Sequence, residues 1–264
     1  LVQKFLERMK TLEETIAQAM DCQDKSILPF LPYILQDFWE IGSSANSILK
    51  IVKAHTNNYS ELNVLDLGCG KGAVSIKLSI ELDCYCLGID AIPEFIEIAN
   101  KKAREEAITS RCKFISGDAR EIIDTLNQFN LIILGSIGPV FGNYFDTMTI
   151  LKKNLIKDGL IILDDGYFED DQPYKHDFIL KKSMLLKQIE KAGMKLIKEY
   201  TETEINQNDE YEMQFNYLRQ RCQELAVKYP DKKYLFDNYI EKQRVEYNNL
   251  ENIITCATMV IQNK

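Results

Sequence analysis

Between residues 62 and 163, short apolar runs alternate with helical patterns, and this rhythm restricts the chain more than any other feature. The runs fall at 62–67, 84–89, 112–116, 129–135 and 159–163, with helical patterns at 71–81, 93–107, 119–127 and 143–154 between them. Repeated strand–helix units of this size build a parallel sheet with helices on both faces. A further helix at 178–192, a sixth strand in "MKLIKEYTE" and a last strand in "IITCATMVIQN" extend the series. The expected fold class is therefore α/β, a seven-stranded, mostly parallel, doubly wound sheet.

Two regions stand outside that rhythm. Residues 1–58 carry no strand pattern. Val2, Phe5, Leu6, Met9, Leu12, Ile16 and Met20 share one helical face, an aromatic stretch broken by Pro29 and Pro32 follows, and "SSANSILKIVKAH" reads as a helix starting near Ser43 or Ser44. The other region, 206–249, separates the last two strands. There Tyr211, Phe215, Leu218, Cys222 and Leu225 fall at helical spacing, Pro230 interrupts, and a second helix is predicted at 231–249. The chain thus divides into a helical prelude or cap (1–58) and a core (59–264) that includes a helical insert (206–249). The insert carries eight of the chain's 25 Tyr and Phe residues, which either fasten it to the core or line an acceptor pocket. Its length suits a lid or a dimer arm, so a homodimer is one expectation.

The 264 residues suit one large α/β domain with additions, and an apolar share of 45% supplies its core. A formal charge of −8 argues against a broad nucleic-acid surface. No apolar run is long enough to span a membrane, and the charged first residues do not read as a signal peptide. Cys84-Tyr85-Cys86 has the wrong spacing for a zinc knuckle and no second pair accompanies it, so no metal is expected. The cysteines mostly sit in strand and helix patterns as small apolar residues, which suits a reducing cytoplasm.

The first strand runs into "VLDLGCGKGAVSIKLS". Gly68-Cys69-Gly70 ends it, and the helix that follows presents free N–H groups to a ligand. Gly68, Gly70 and Ala73 satisfy the dinucleotide pattern G-x-G-x-x-G/A, whereas Gly68, Gly70 and Gly72 satisfy G-x-G-x-G, which suits S-adenosylmethionine. The turn alone leaves both open. In an open parallel sheet the ligand lies beyond the carboxyl ends of the strands. Asp90, at the end of the second strand, can accept both ribose hydroxyls of either cofactor, or it can cap the next helix; it opposes the 2′-phosphate of NADP. The third strand separates the two cofactors. It ends in Gly117-Asp118-Ala119-Arg120, where a carboxylate can accept the adenine amino group and the Ala119 N–H can donate to a ring nitrogen. Asp66, two residues before Gly68, can face an amino group.

These elements, "VLDLGCGKG", "LGIDAIPEFIEIANKKA", "CKFISGDARE", "FNLIILGS" and "LKKNLIKDGLIILDD", resemble in order and spacing the class I S-adenosylmethionine-dependent methyltransferases from about 62 to 165. The resemblance implies a sheet ending in a reversed seventh strand. It implies Asp66, Gly68 and Gly70 on the methionine part, Asp90 on the ribose, and Ala91 and Ile92 against adenine. It places Asp118 and Ala119 at the adenine edge and Gly135 and Ser136 as the floor of the methyl site. The prelude would lie over the cofactor, with Tyr33, Phe38 and Trp39 able to face the sulfonium by cation–π attraction.

In-line methyl transfer requires alignment and a dry pocket, and a base only if the acceptor must lose a proton. Related DNA amino-methyltransferases carry Asn/Asp-Pro-Pro-aromatic after the fourth strand. Here that segment reads Gly135-Ser136-Ile137-Gly138-Pro139-Val140, which with Asp146 looks like a small-molecule enzyme. His176 and Asp165, near the end of strand five, are the candidate catalytic residues, since an imidazole titrates near neutrality. The expected function is methylation of a small-molecule nitrogen or oxygen. The alternatives are a non-catalytic cofactor-binding domain and an aminopropyltransferase, whose acidic acceptor motif is not evident.

Overall fold

In the computed structural model, which describes residues 10–176, 178–201 and 210–264, seven strands form one sheet. They are β1 (Asn63–Leu67), β2 (Tyr85–Asp90), β3 (Cys112–Ser116), β4 (Phe129–Gly135), β5 (Leu155–Tyr167), β6 (Met194–Thr201) and β7 (Thr255–Asn263), in the order β3-β2-β1-β4-β5-β7-β6. The first five strands run parallel; β7 runs antiparallel to both of its neighbours. The doubly wound sheet with a reversed last strand is as expected. The order turns back between β1 and β4, so the carboxyl ends of these strands flank a switch point where ligands bind in such sheets.

Alternation explains the two layers. Val64, Leu131, Ile133 and Ile162 point into one buried cluster, and Leu65, Leu67, Ile132, Leu134 and Leu163 into the other. Ten helices are described: α1 (Leu12–Ala19), α2 (Leu31–Ile34), α3 (Ala45–His55), α4 (Ala73–Leu82), α5 (Pro93–Glu105), α6 (Ala119–Ile122), α7 (Tyr144–Leu151), α8 (Lys182–Lys191), α9 (Glu210–Lys228) and α10 (Lys233–Asn252). In α5, Pro93 occupies the first turn and Phe95, Ile96, Ala99 and Ala103 form the buried stripe. Among the described residues no helix is long and apolar enough to cross a membrane.

Differences from the expected boundaries have local causes. β5 extends from 155 to 167 rather than 159–163, because Leu155 pairs with Phe129 of β4 and β7 supplies ladder partners for Asp165 through Tyr167, beyond the end of β4. The helix expected at 119–127 is one turn of α6 followed by a 3-10 turn, Ile123–Thr125. The helix expected at 178–192 starts at Lys182, because Leu180 and Lys181 bond and bridge to Phe168 instead. Val2, Phe5, Leu6 and Met9 of the predicted first helical face, and residues 206–209 of the insert, lie outside the described residues.

The prelude and the insert share a third buried cluster. Ile27, Leu31 and Ile34 pack with Leu218, Cys222 and Leu225 of α9 and with Leu235, Phe236 and Tyr239 of α10. Ile92 and Phe95 join it, so the cluster lies beside the end of β2. Arg221 of α9 adds a two-pronged ion pair to Asp37 at 2.6 and 2.8 Å.

Candidate ligand cleft

Gly68 (φ +67°) and Gly72 (φ +84°) occupy left-handed conformations that strain any residue with a Cβ. A Cβ on Gly72 would lie 2.6 Å from the Phe114 ring. Gly72 precedes α4 directly, and Ala73 is an ordinary first helical residue. Of the two glycine patterns, the backbone therefore uses Gly68, Gly70 and Gly72.

Asp90 holds this turn in place. Its two carboxylate oxygens accept from the backbone N–H of Gly70 and of Ile92, each at 2.9 Å. It thus ties the glycine turn to the start of α5 while keeping spare lone pairs. Burial raises its pKa, and the N–H groups of Ile92, Gly70 and Ala91 only moderate the rise. Asp66 is 3% exposed and accepts a 2.7 Å hydrogen bond from the Ser75 hydroxyl. Burial, with Asp90 nearby, brings its carboxyl up to about 7. The Cys69 thiol is pushed up too, by burial and by those two carboxylates. Two buried carboxylates held above their ordinary range favour a ligand that carries positive charge or donates hydrogen bonds.

At the end of β3, Asp118 caps α6 by accepting from the Arg120 N–H at 2.9 Å, and pairs with the Arg120 guanidinium at 2.6 Å. Burial works against its charge, but the contacts with Arg120 outweigh it and hold the carboxyl below its usual value. Arg120 also donates to the Lys10 carbonyl at 2.9 Å and the Thr15 hydroxyl at 3.2 Å, joining this rim to α1. Ala119 is the first residue of α6.

A cavity of about 20 Å³ lies at the switch point. Asp66, Gly68 and Cys69 line it from β1 and its turn, Gly135 from β4, and Trp39, Ile41 and Ser43 from the N-terminal side. Ile137 covers Gly68, for a Cβ there would meet Ile137 Cγ2 at 2.2 Å. Ser136 adopts φ +56°, a left-handed conformation costly for a residue with a side chain. The sheet end thus brings together Asp66, Gly68, Cys69, Gly70, Asp90, Gly135 and Ser136, with Trp39 over them. Ala91 and Ile92 continue from Asp90, Ile92 facing the cluster under the insert.

Four expected residues lie elsewhere. Tyr33 donates a 2.7 Å hydrogen bond to Glu224 of α9 and does not line the cavity, because α2 turns toward the insert. His176 is on an exposed stretch, where its Nδ1 accepts from the N–H groups of Phe178 and Ile179 at 3.3 Å. Asp165 follows Leu163 on the sheet face opposite Asp66; it accepts from Tyr144 at 2.8 Å, and burial raises both groups. Phe38, also expected at the cofactor, packs edge-on against Tyr217 of the insert. None of the insert's aromatic residues lines the cavity. Among the described residues no cluster of His, Cys, Asp and Glu is arranged to hold a metal.

Lys71 is a structural residue that sequence reasoning passed over. It is 3% exposed, and its Nζ donates to the carbonyls of Leu35 at 2.6 Å, Gln36 at 3.4 Å and Phe38 at 2.5 Å. Burial lowers its pKa to about 8, with Asp37 opposing. The glycine turn thereby fastens the end of α2 above itself. The signal was a lone cation within a turn of otherwise small residues.

A family model described as "Methyltransferase domain" matches residues 58–221, more than half of the chain. The "Uncharacterized methyltransferase YcgJ" of Bacillus subtilis is 27% identical over 120 residues, 46% of each protein. The ajmaline N-methyltransferase of Rauvolfia serpentina is 32% identical over 71 residues, 27% of this chain and 24% of that protein. The chain thus spans less than half the length of these curated relatives. A solved SAM-dependent methyltransferase from Geobacter sulfurreducens, in complex with S-adenosyl-L-homocysteine, matches with a TM-score of 0.74 at 15% identity. That match covers 89% of this chain and 98% of the other, a likeness of fold.

Proposed function

We propose, on the premise that the chain belongs to the methyltransferase-domain family, that it transfers a methyl group from S-adenosylmethionine to a nitrogen or oxygen of a small molecule. The observation that carries this reading is the pairing of two buried carboxylates, Asp66 and Asp90, around the glycine turn. In this reading Asp66 faces the cofactor's amino group, Asp90 accepts from the ribose hydroxyls through its spare lone pairs, and Asp118 and Ala119 meet the adenine edge. When bound, the sulfonium supplies an activated methyl group and its own leaving group. Gly135 and Ser136 leave room for an acceptor at the end of β4, and Trp39 with Ile137 keeps water out.

The ajmaline enzyme, by its name, methylates nitrogen on a small molecule, which supports an acceptor of that size. Where the acceptor must lose a proton, Asp165 and His176 are the candidate bases, but Asp165 sits off the cavity with its carboxylate bonded to Tyr144, so an acceptor that needs no deprotonation fits the cleft best. His176 is the weaker candidate, tied to its own loop. The domain reading follows the same elements: a helical cap through residue 58 over a core that carries the insert.

The experiment is incubation with methyl-labelled S-adenosylmethionine and a metabolite extract, with calorimetric titration of S-adenosylhomocysteine and NAD alongside. Labelled product and preference for S-adenosylhomocysteine are expected. Preference for NAD would overturn the cofactor, and tight binding without any transfer would favour a cofactor-binding domain over an enzyme.

A further inference from the structure

Ser43 stands immediately before Ser44, whose hydroxyl caps α3 by accepting from the Ser47 N–H. The cap is therefore filled, and the Ser43 hydroxyl is left over. Ser43 is only 5% exposed, and among the described residues its Oγ has no hydrogen-bond partner. A buried unpaired hydroxyl is destabilising, and an alanine would fill the same space without that cost. Packing alone does not account for it.

Its surroundings point to a ligand. The residue lines the same cavity as Asp66, Gly68 and Gly135. It sits over the end of β4, since a Cβ built on Gly135 would lie 2.7 Å from Ser43 Oγ. The segment that carries it is fixed on both sides. Before it, Lys71 holds the carbonyls of Leu35, Gln36 and Phe38. At Gly42 the backbone rests so closely on the β4 loop that a Cβ would come within 2.9 Å of Ser136 Cβ. An oriented, desolvated hydroxyl held by fixed backbone is how a specific polar contact is built.

The geometry points to Ser43 as a binding residue whose hydroxyl contacts the amino-acid end of the nucleoside ligand, contributed by the N-terminal segment rather than by the sheet. This rests on the reading of the cleft as an S-adenosylmethionine site. The end of the ligand follows from which carboxylate shares the cavity. Asp66 lines it, whereas Asp90 and Asp118, assigned to the ribose and adenine, do not. A volume of about 20 Å³ admits one ammonium or one carboxylate oxygen. A serine hydroxyl serves either, since it both donates and accepts.

The test is Ser43→Ala, titrated calorimetrically with S-adenosylhomocysteine and with 5′-methylthioadenosine, which keeps the nucleoside and lacks the amino-acid end. Thermal unfolding of the ligand-free protein accompanies it. S-adenosylhomocysteine binding should weaken about tenfold, 5′-methylthioadenosine binding should stay within about twofold, and the ligand-free Tm should equal or exceed that of the parent. Unchanged S-adenosylhomocysteine affinity would overturn the proposal. So would an equal loss for both ligands, which would mean that Ser43 acts by packing the whole cleft. If the parent protein itself fails to bind S-adenosylhomocysteine, the functional reading falls first, a result distinct from either.

Discussion

At the scale of single residues, Asp66 should impose a pH dependence. Burial brings its folded pKa up to about 7, well above the ordinary carboxylate range, so the folded chain keeps a proton there that the unfolded chain releases. The associated stability is fully present below the unfolded pKa and is lost as the pH rises from about 4 to about 7. The slope is at most about 1.4 kcal/mol per pH unit. Asp66→Asn keeps an acceptor for Ser75 and removes the titration. It should raise the ligand-free Tm by several degrees at pH 7.5 and reduce the slope, leaving the part due to Asp90; thermal unfolding across pH 4–8 reads both. The same change should weaken S-adenosylhomocysteine, since an amide cannot balance an ammonium. Asp90→Ala should lower S-adenosylhomocysteine affinity more than tenfold, because two hydrogen bonds to a carboxylate are lost at about 1.5–3 kcal/mol each. It should also lower the Tm, because the N–H groups of Gly70 and Ile92 lose their acceptor. A fall in Tm without loss of affinity would assign Asp90 to the turn alone.

At the scale of elements, the fastening of α2 by Lys71 makes a separate prediction. Lys71→Met leaves the carbonyls of Leu35 and Phe38 without their cation, while sparing the cost of burying it. The net loss should be about 1–2 kcal/mol, enough to raise local opening about tenfold. Hydrogen exchange should show it as faster exchange across Leu31–Ser43 with the strands unchanged. The same contact explains what could be read from the sequence. β1, β2 and β4 were legible because their apolar runs are largely buried on both faces, and β3, at the edge, because Cys112 and Phe114 still face the core. The positions of Asp90 and Asp118 were legible too, because the first ends β2 and the second stands two residues past the end of β3. The last three residues of β5 were not, since Asp165, Gly166 and Tyr167 are polar or mixed and owe their ladder to a strand some ninety residues later. Lys71 was illegible for a similar reason, its partners being carbonyls 33 to 36 residues upstream. A carbonyl leaves no mark on residue type. Tyr33 read as a ring for the cofactor, but composition could not show that Glu224 would claim its hydroxyl.

At the scale of the molecule, the N-terminal helices and the insert stand or fall together, because their apolar faces meet in one cluster. Phe236 is 0% exposed there, and Phe236→Ala should cost about 3–5 kcal/mol. The loss should appear as accelerated amide exchange in α2, α9 and α10 at once. Exchange confined to α10 would mean that the regions open independently. The sheet carries a different consequence. β6 lies at the edge, and β7 alone stands between it and β5. While the polypeptide is being synthesised, β6 leaves the ribosome well before β7 and has no strand to pair with. The five parallel strands are complete by Tyr167, yet the sheet cannot widen past them until Asn263 has emerged. For the time taken to translate the 96 residues from Tyr167 to Asn263, β5 presents a bare edge to the cell, and whatever shields nascent chains must cover it.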